Sequence, residues 1–496
     1  MPNLKKPTLD KDLDKLSYME EAAGSLGRGL IAPGIALVFV VLCALGAGVS
    51  MSGAPGAVII VAAAAIGAYM ALNIGANDVA NNVGPAVGSR AMTLVTALII
   101  AAVFESAGAL IAGGDVVGTI SKGIIDPNSV ADANVFMAAM MAALVSSALW
   151  INLATWIGAP VSTTHSIVGG VMGAGIAAAG FGAVSWPTMG GIAASWVISP
   201  FLGGVIAAGF LAFIKSFIIY REDKIAAARV WVPVLIGVMS GAFASYLALK
   251  GLKKLINIDL PTSLLIGVVL GLAVWLLMRP IIRRQSEGLE NRNQSLRTLF
   301  SVPLVCSAAL LSFAHGANDV ANAVGPLAAI VHTAEVGDVV SKVSIPLWVM
   351  AVGAFGISFG LLLFGPKLIE MVGQQITKLN PMRAYCVSLS AAITVIVASG
   401  LGLPVSSTHI AVGAVFGVGF FREWYTERSK RRLDYVNNKQ TGGNVVRPVR
   451  NREEQARRHL VRRAHFMTIV AAWIVTVPAA AALSAALYFV MVKLIA

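Results

Sequence analysis

Two short motifs, each present twice, hold most of the residues able to do chemistry. Gly75-Ala76-Asn77-Asp78-Val79-Ala80-Asn81-Asn82-Val83-Gly84-Pro85 returns as Gly316-Ala317-Asn318-Asp319-Val320-Ala321-Asn322-Ala323-Val324-Gly325-Pro326, with one of eleven positions changed. Pro160-Val161-Ser162-Thr163-Thr164-His165 returns as Pro404-Val405-Ser406-Ser407-Thr408-His409. The first motif sets a carboxylate, Asp78 or Asp319, among the amides Asn77 and Asn81 or Asn318 and Asn322. One charged and several neutral oxygens suit a hard monovalent cation such as sodium, and a carboxylate at lipid depth needs such a partner or a wet cavity. The second motif supplies the hydroxyls of Ser162, Thr163, Thr164, Ser406, Ser407 and Thr408 at helix starts. Free backbone N–H groups and the positive end of the helix dipole favour an oxyanion there.

Each motif also has a plainer reading. Asn and Asp cap helices, and small hydroxyl residues cap or pack them. Two motifs duplicated in the same order, at nearly the same separation, shift the balance toward ions and substrate. His165 and His409 are proton carriers, anion donors, or inert histidines bonded to backbone. Neither motif contains a lysine or arginine. An oxyanion held there relies on neutral donors and on cations bound beside it. Glu105, a carboxylate inside an apolar run, joins the cation candidates, whereas Lys122 reads as a snorkelling anchor.

The elements that carry these residues belong in a membrane. Hydrophobic residues make up 57% of the 496 and charged residues 12%, with a mean hydropathy of +0.80. Soluble domains carry about 25% charged residues. Eleven apolar runs approach the roughly 20 residues a bilayer core requires: 31–50, 57–73, 92–113, 136–158, 188–220, 230–249, 264–282, 299–315, 345–364, 384–402 and 466–494. Lipid-spanning backbone must satisfy its own hydrogen bonds, and the runs lack the alternation of a barrel, so the class is an all-α polytopic membrane protein. The short Gly-rich stretches Val168–Gly175 and Val412–Gly419 add two re-entrant helical hairpins, giving about 11–12 helices in all. The Asn-Asp motifs read as breaks at the ends of apolar runs. If the two halves are inverted repeats, an odd number of crossings separates Asp78 from Asp319. Six runs are counted there, and Thr188–Tyr220, with Pro200 inside, is the suspect one.

The domain reading follows: a polar tail over 1–29, a first repeat over 30–184, a divergent middle over 185–297, a second repeat over 298–421, a basic loop over 422–463, and a last helix over 464–496. The tail carries mixed charge and is not a signal peptide. Cys43, Cys306 and Cys386 lie in apolar runs, so free buried thiols are expected. The net charge of +13 clusters beside spans, chiefly over 422–463. That pattern fits cytoplasmic loops near anionic lipid and excludes nucleic acid as a partner.

These residues resemble the inorganic phosphate transporter family, in the doubled Gly-Ala-Asn-Asp-Val-Ala-Asn and Pro-Val-Ser-x-Thr-His motifs, in Phe104-Glu105-Ser106 and in Thr119–Ile124. The resemblance implies inverted repeats with two hairpins, a phosphate site between them, and symport of inorganic phosphate with coupling cations across the plasma membrane. Sodium at Asn77, Asp78, Asn81, Asn318, Asp319, Asn322 and Glu105 is favoured over a proton, with no other cofactor. A homodimer is left open. Two departures stand out. The animal sodium-coupled members carry a glutamate upstream of each serine motif where this chain has Met140 and Ser388, and the second half lacks an obvious counterpart of Glu105, since Phe355 is followed by Gly356. The rival readings are a permease for another oxyanion such as sulfate, or an anion channel. An enzyme is disfavoured, because no nucleophile-elbow pattern accompanies the serines.

Overall fold

A computed structural model describes residues 30–53, 56–126, 129–130, 132–157, 159, 161–251, 258–338, 345–375, 379–429 and 463–495. The tail over 1–29 and nearly all of the basic loop lie outside the described residues. Every long element is a helix, as backbone in hydrocarbon requires, and eleven described helices are long and apolar enough to cross a membrane. In chain order they begin with α1 (Leu30–Ser50), α2 (Ala57–Gly88) and α3 (Leu94–Ala112). A short α4 (Gly114–Lys122) precedes α5 (Ala133–Ile157) and α6 (Thr163–Ala179). Then come α7 (Trp186–Ile214), α8 (Lys224–Lys250), α9 (Leu260–Gln285) and the short α10 (Asn293–Leu299). The last are α11 (Ser301–Val336), α12 (Leu347–Gln375), α13 (Pro381–Gly400), α14 (Ser407–Arg428) and α15 (Arg463–Ile495).

Burial sorts these helices into a centre and a lipid-facing rim. The most apolar window of α11 is 89% buried, against 6% for α1 and 11% for α9. A helix apolar all round belongs inside protein or in lipid, and here α11 takes the first place and α1 and α9 the second. Around α11 stand α2, α3, α5 and α13.

Two expectations need correction. The Asn-Asp motifs do not break their helices. Both α2 and α11 run straight through them, past Pro85 and Pro326. Tertiary packing overrides the poor helix propensity of Asn, Asp and Gly. Nor does Thr188–Tyr220, the suspect run, fall out of the count of spans: α7 is continuous past Pro200 and is prolonged by a π turn over Lys215–Ile219.

The packing of the two motif copies follows one pattern. No Cβ fits at Gly75, which lies against the Ile357 carbonyl of α12, or at Gly316, which lies against the Glu105 carbonyl of α3. Gly108 abuts Phe313, and Gly360 abuts Leu72, in the same way. Thus α2 pairs with α12 as α11 pairs with α3. Between these pairs the Ser106 and Ser358 hydroxyls meet at 2.6 Å. This register aligns Glu105 with Ile357, not with Gly356. Farther out, α6 packs on α15 and α14 packs on α7. Cys43, Cys306 and Cys386 are free, and Cys386 alone is fully buried.

Candidate functional site

Asp78 and Asp319 sit mid-helix on α2 and α11, each about 1% exposed. Because the helices continue through both, neither is a helix cap. Pro85 and Pro326 matter for a different reason. Proline has no N–H, so each removes the i→i−4 donor for the carbonyl four residues earlier. The freed carbonyls are those of Asn81 and Asn322, one turn beyond the aspartates.

The starts of α6 and α14 supply hydroxyls to this place. Ser162 and Ser406 are N-caps, accepting from the backbone N–H of His165 at 3.1 Å and of His409 at 3.3 Å. The capping reading of these serines therefore holds, yet each keeps its own hydroxyl proton for another acceptor. The amides at the first two helical positions have no intrahelical acceptor. Thr163 donates to Asp78 Oδ2 at 3.0 Å, and Ser407 donates to Asp319 Oδ2 at 3.3 Å. Thr408 crosses from the second copy and donates to Asp78 Oδ1 at 3.0 Å. Thr164 donates to the Val405 carbonyl at 3.0 Å, so the N-terminal tips of α6 and α14 meet.

The asparagines tie the tips to the long helices. Asn81 donates to Thr408 at 2.8 Å, and Asn322 donates to Thr164 at 3.2 Å. Asn77 donates to Thr155 and Asn318 to Ser399, both at 2.9 Å. The buried amide oxygens of Asn77, Asn82 and Asn322, and Oδ1 of Asp319, accept no hydrogen bond among the described residues. Buried acceptors without donors are costly, and this set is what a hard cation uses. All thirteen residues singled out in the sequence thus fall in or directly beside one buried cluster.

The sequence reading missed two members, His315 and Asn82. His315 Nε2 lies 2.9 Å from Asp319 Oδ2 and 3.7 Å from Asp78 Oδ2, while Nδ1 lies 3.3 Å from Glu105 Oε2. Three carboxylates thus converge on one imidazole. Asn82 donates to Glu105 Oε1 at 2.7 Å. One ligand atom each from Asp78, His315 and Asp319 lie within 4.8 Å of one another. The signal was present: Asn82 is the one changed position in the motif, opposite Ala323, and His315 stands where the first copy has Ile74. His165 and His409 pack ring to ring at 4.4 Å, with Trp196 of α7 at 3.8 Å from His165. Neither ring nitrogen of His165 is hydrogen-bonded among the described residues, and none of their backbone holds it. Trp196 Nε1 donates to the Pro404 carbonyl at 3.0 Å and fixes the second tip. Met140 and Ser388 are buried, so the two departures remain apolar and neutral.

An all-helical bundle with paired acidic, amide and hydroxyl groups buried at mid-helix is the architecture of a membrane transporter rather than an enzyme. The sequence profile of the phosphate transporter family matches residues 74–484. A Helicobacter pylori (strain 26695) protein named as a phosphate permease is 45% identical over 96% of this chain and 98% of its own. One from Pyrococcus abyssi, named likewise, is 40% identical over 72% of this chain and 87% of its own. A solved structure described as the sodium-dependent phosphate transporter superposes with a TM-score of 0.77 at 36% identity, covering 88% of this chain and all of that one. The chain belongs to the phosphate transporter family. It is a multi-pass membrane protein, of the plasma membrane in bacteria.

Proposed function

We propose that this protein is a secondary-active symporter that imports inorganic phosphate together with cations, sodium being favoured over the proton. One observation carries the reading: hydroxyl-capped helix starts from both motif copies meet on the Asp78–Asp319 pair. Phosphate is held by the Ser162 and Ser406 hydroxyls and by the open amides of the first turns of α6 and α14. Thr163, Ser407 and Thr408, bonded to carboxylates in this conformation, turn to the anion as cations take those carboxylates over.

Charge balance sets the number of cations. Asp78 and Asp319 offer two carboxylates related by the duplication, which two monovalent cations match. Phosphate near neutral pH carries one to two negative charges, and each is opposed by about 2.3 kcal/mol per 100 mV of inside-negative potential. Import of the dianion thus needs at least two cations. The likeness to a sodium-dependent transporter favours sodium, as do the amide oxygens and the Asn81 and Asn322 carbonyls.

The topology reading is that α5 with α6, and α13 with α14, form hairpins that enter and leave on one side. The crossings from α2 up to α11 are then α2, α3, α7, α8 and α9, an odd number, as inverted repeats require. The repeats take the boundaries 30–184 and 298–421, and the basic loop over 422–463 is cytoplasmic. The test is labelled-phosphate uptake into proteoliposomes with sulfate as competitor. Uptake that needs sodium and ignores excess sulfate supports the reading. Equal competition by sulfate would remove the substrate assignment.

A further inference from the structure

Among the buried polar positions at which the duplication is broken, three fall in one connected group beside the aspartates. By the register of the helix pairs, Asn82, Glu105 and His315 correspond to Ala323, Ile357 and Ile74. Each apolar counterpart is buried. Asn82 holds Glu105 at 2.7 Å, Glu105 faces His315 at 3.3 Å, and His315 reaches Asp319 at 2.9 Å. Buried polar groups of this kind cost stability relative to well-packed apolar residues of similar volume. The duplicate positions show that the fold accepts apolar residues at these places, so packing alone does not call for the polar set.

The effect of the group is visible at its end. His315 and Asp319 are one helical turn apart on α11; His315 Nε2 lies 2.9 Å from Asp319 Oδ2, to which the Ser407 hydroxyl donates, and 3.7 Å from Asp78 Oδ2. Oδ1 of Asp319 is buried without a donor among the described residues. Asp78 has no histidine one turn before it, since Ile74 stands there. Its two oxygens are both taken, one by Thr163 of the first hairpin and one by Thr408 of the second. A cation reaches Asp319 Oδ1 with no hydrogen bond broken. To reach Asp78 it must displace a hydroxyl from a hairpin tip.

We propose that Asn82, Glu105 and His315 form a positioning bracket that makes Asp319 the preformed cation site, filled first, while filling of the Asp78 site requires the hairpin tips to move. The inference rests on the cation reading above and ranks its two sites. The second cation is thereby the one tied to the substrate, because the threonine hydroxyls it releases lie at the phosphate-binding helix starts. Asn82, Glu105 and His315 act through Asp319 rather than on substrate.

The test is equilibrium radiosodium binding to the purified full-length protein in lipid nanodiscs, without phosphate, at constant ionic strength in choline. Two steps at least tenfold apart are expected. Asp319→Asn removes the tight step, and Asp78→Asn removes the weak one. Asn82→Ala, which makes the two motif copies identical, weakens the tight step about tenfold and leaves the weak step in place. A merely structural defect would move both steps. The pair Glu105→Ile with His315→Ile, copying the other half, brings the two steps together; should it fail to fold, Asn82→Ala and the aspartate variants decide the matter. One class of equal sites in the wild type, loss of the tight step in Asp78→Asn, or an equal shift of both steps in Asn82→Ala would overturn the ranking and leave cation binding standing. Absence of any sodium binding by the wild type would overturn the ranking and the sodium assignment together.

Discussion

Ser162 caps a helix in this structure and, on the proposed reading, also binds phosphate, and one pair of substitutions tells the two roles apart. Its hydroxyl oxygen caps α6 through the His165 N–H, at 3.1 Å. On the proposed reading its proton goes to phosphate. Ser162→Ala removes both. The lost cap costs about 0.5–2 kcal/mol of stability. The lost donor to a charged ligand costs about 1.5–3 kcal/mol of binding, or roughly ten- to a hundred-fold in phosphate affinity. Ser162→Gly removes the donor as well, but glycine at an N-cap costs only about a few tenths of a kcal/mol. The assay is labelled-phosphate uptake into proteoliposomes at saturating sodium, paired with thermal unfolding of the same preparations. Both variants are expected to raise the KM for phosphate ten-fold or more, while only Ser162→Ala unfolds at lower temperature. Recovery of wild-type KM in Ser162→Gly would show that the hydroxyl is a cap and nothing more, and would refute the reasoning.

Asp78→Asn and Asp319→Asn are isosteric and are expected to fold but to lose coupled uptake. At about 4 Å and an effective dielectric constant near 20, a unit charge is worth roughly 4 kcal/mol, close to a thousand-fold in cation affinity. A shift below threefold in half-saturating sodium would count against it. Gly75→Ala and Gly316→Ala push a methyl group into a backbone carbonyl that no rotamer change can move. Each is expected to lower the unfolding temperature in detergent by the cost of overpacking, about 1–3 kcal/mol, whereas Gly182→Ala, with open space around it, serves as the control. Asp259 caps α9, and hydrogen bonds from Thr262 hold its carboxyl below the usual carboxylate range. A depressed folded value means that the capping contribution is present above the unfolded value and is lost as pH falls through the folded one. Protection from hydrogen exchange at the start of α9, taken relative to the intrinsic rate at each pH, is therefore expected to fall at acid pH in the wild type and to stay constant in Asp259→Asn.

The doubled residues were legible because repetition marks them. Asp78 with Asp319, and Ser162 with Ser406, stand out in the sequence and meet in space. The same search hid Asn82 and His315, since it favours what the halves share, and these two are where they differ. Their meaning needs the register of α3 against α11 and of α12 against α2, which only the packing provides. The helical course of α2 and α11 through the Asn-Asp motifs was also hidden. Asn, Asp, Gly and Pro argue locally for a break, while burial among the neighbouring helices keeps the segments helical. The spans themselves were plain from hydropathy, and each of the eleven apolar runs became a helix.

The central claim is cation-coupled phosphate import, and one measurement bears on it most directly. Labelled-phosphate uptake into proteoliposomes is followed with sodium replaced by choline at fixed pH, and then at fixed sodium across an imposed pH gradient. The account predicts uptake that collapses in choline, rises with inward sodium, and responds to an inside-negative potential according to the excess of cations over phosphate charge. Full activity without sodium, rising with an inward proton gradient, would contradict the choice of ion, and uptake indifferent to both gradients would contradict symport itself.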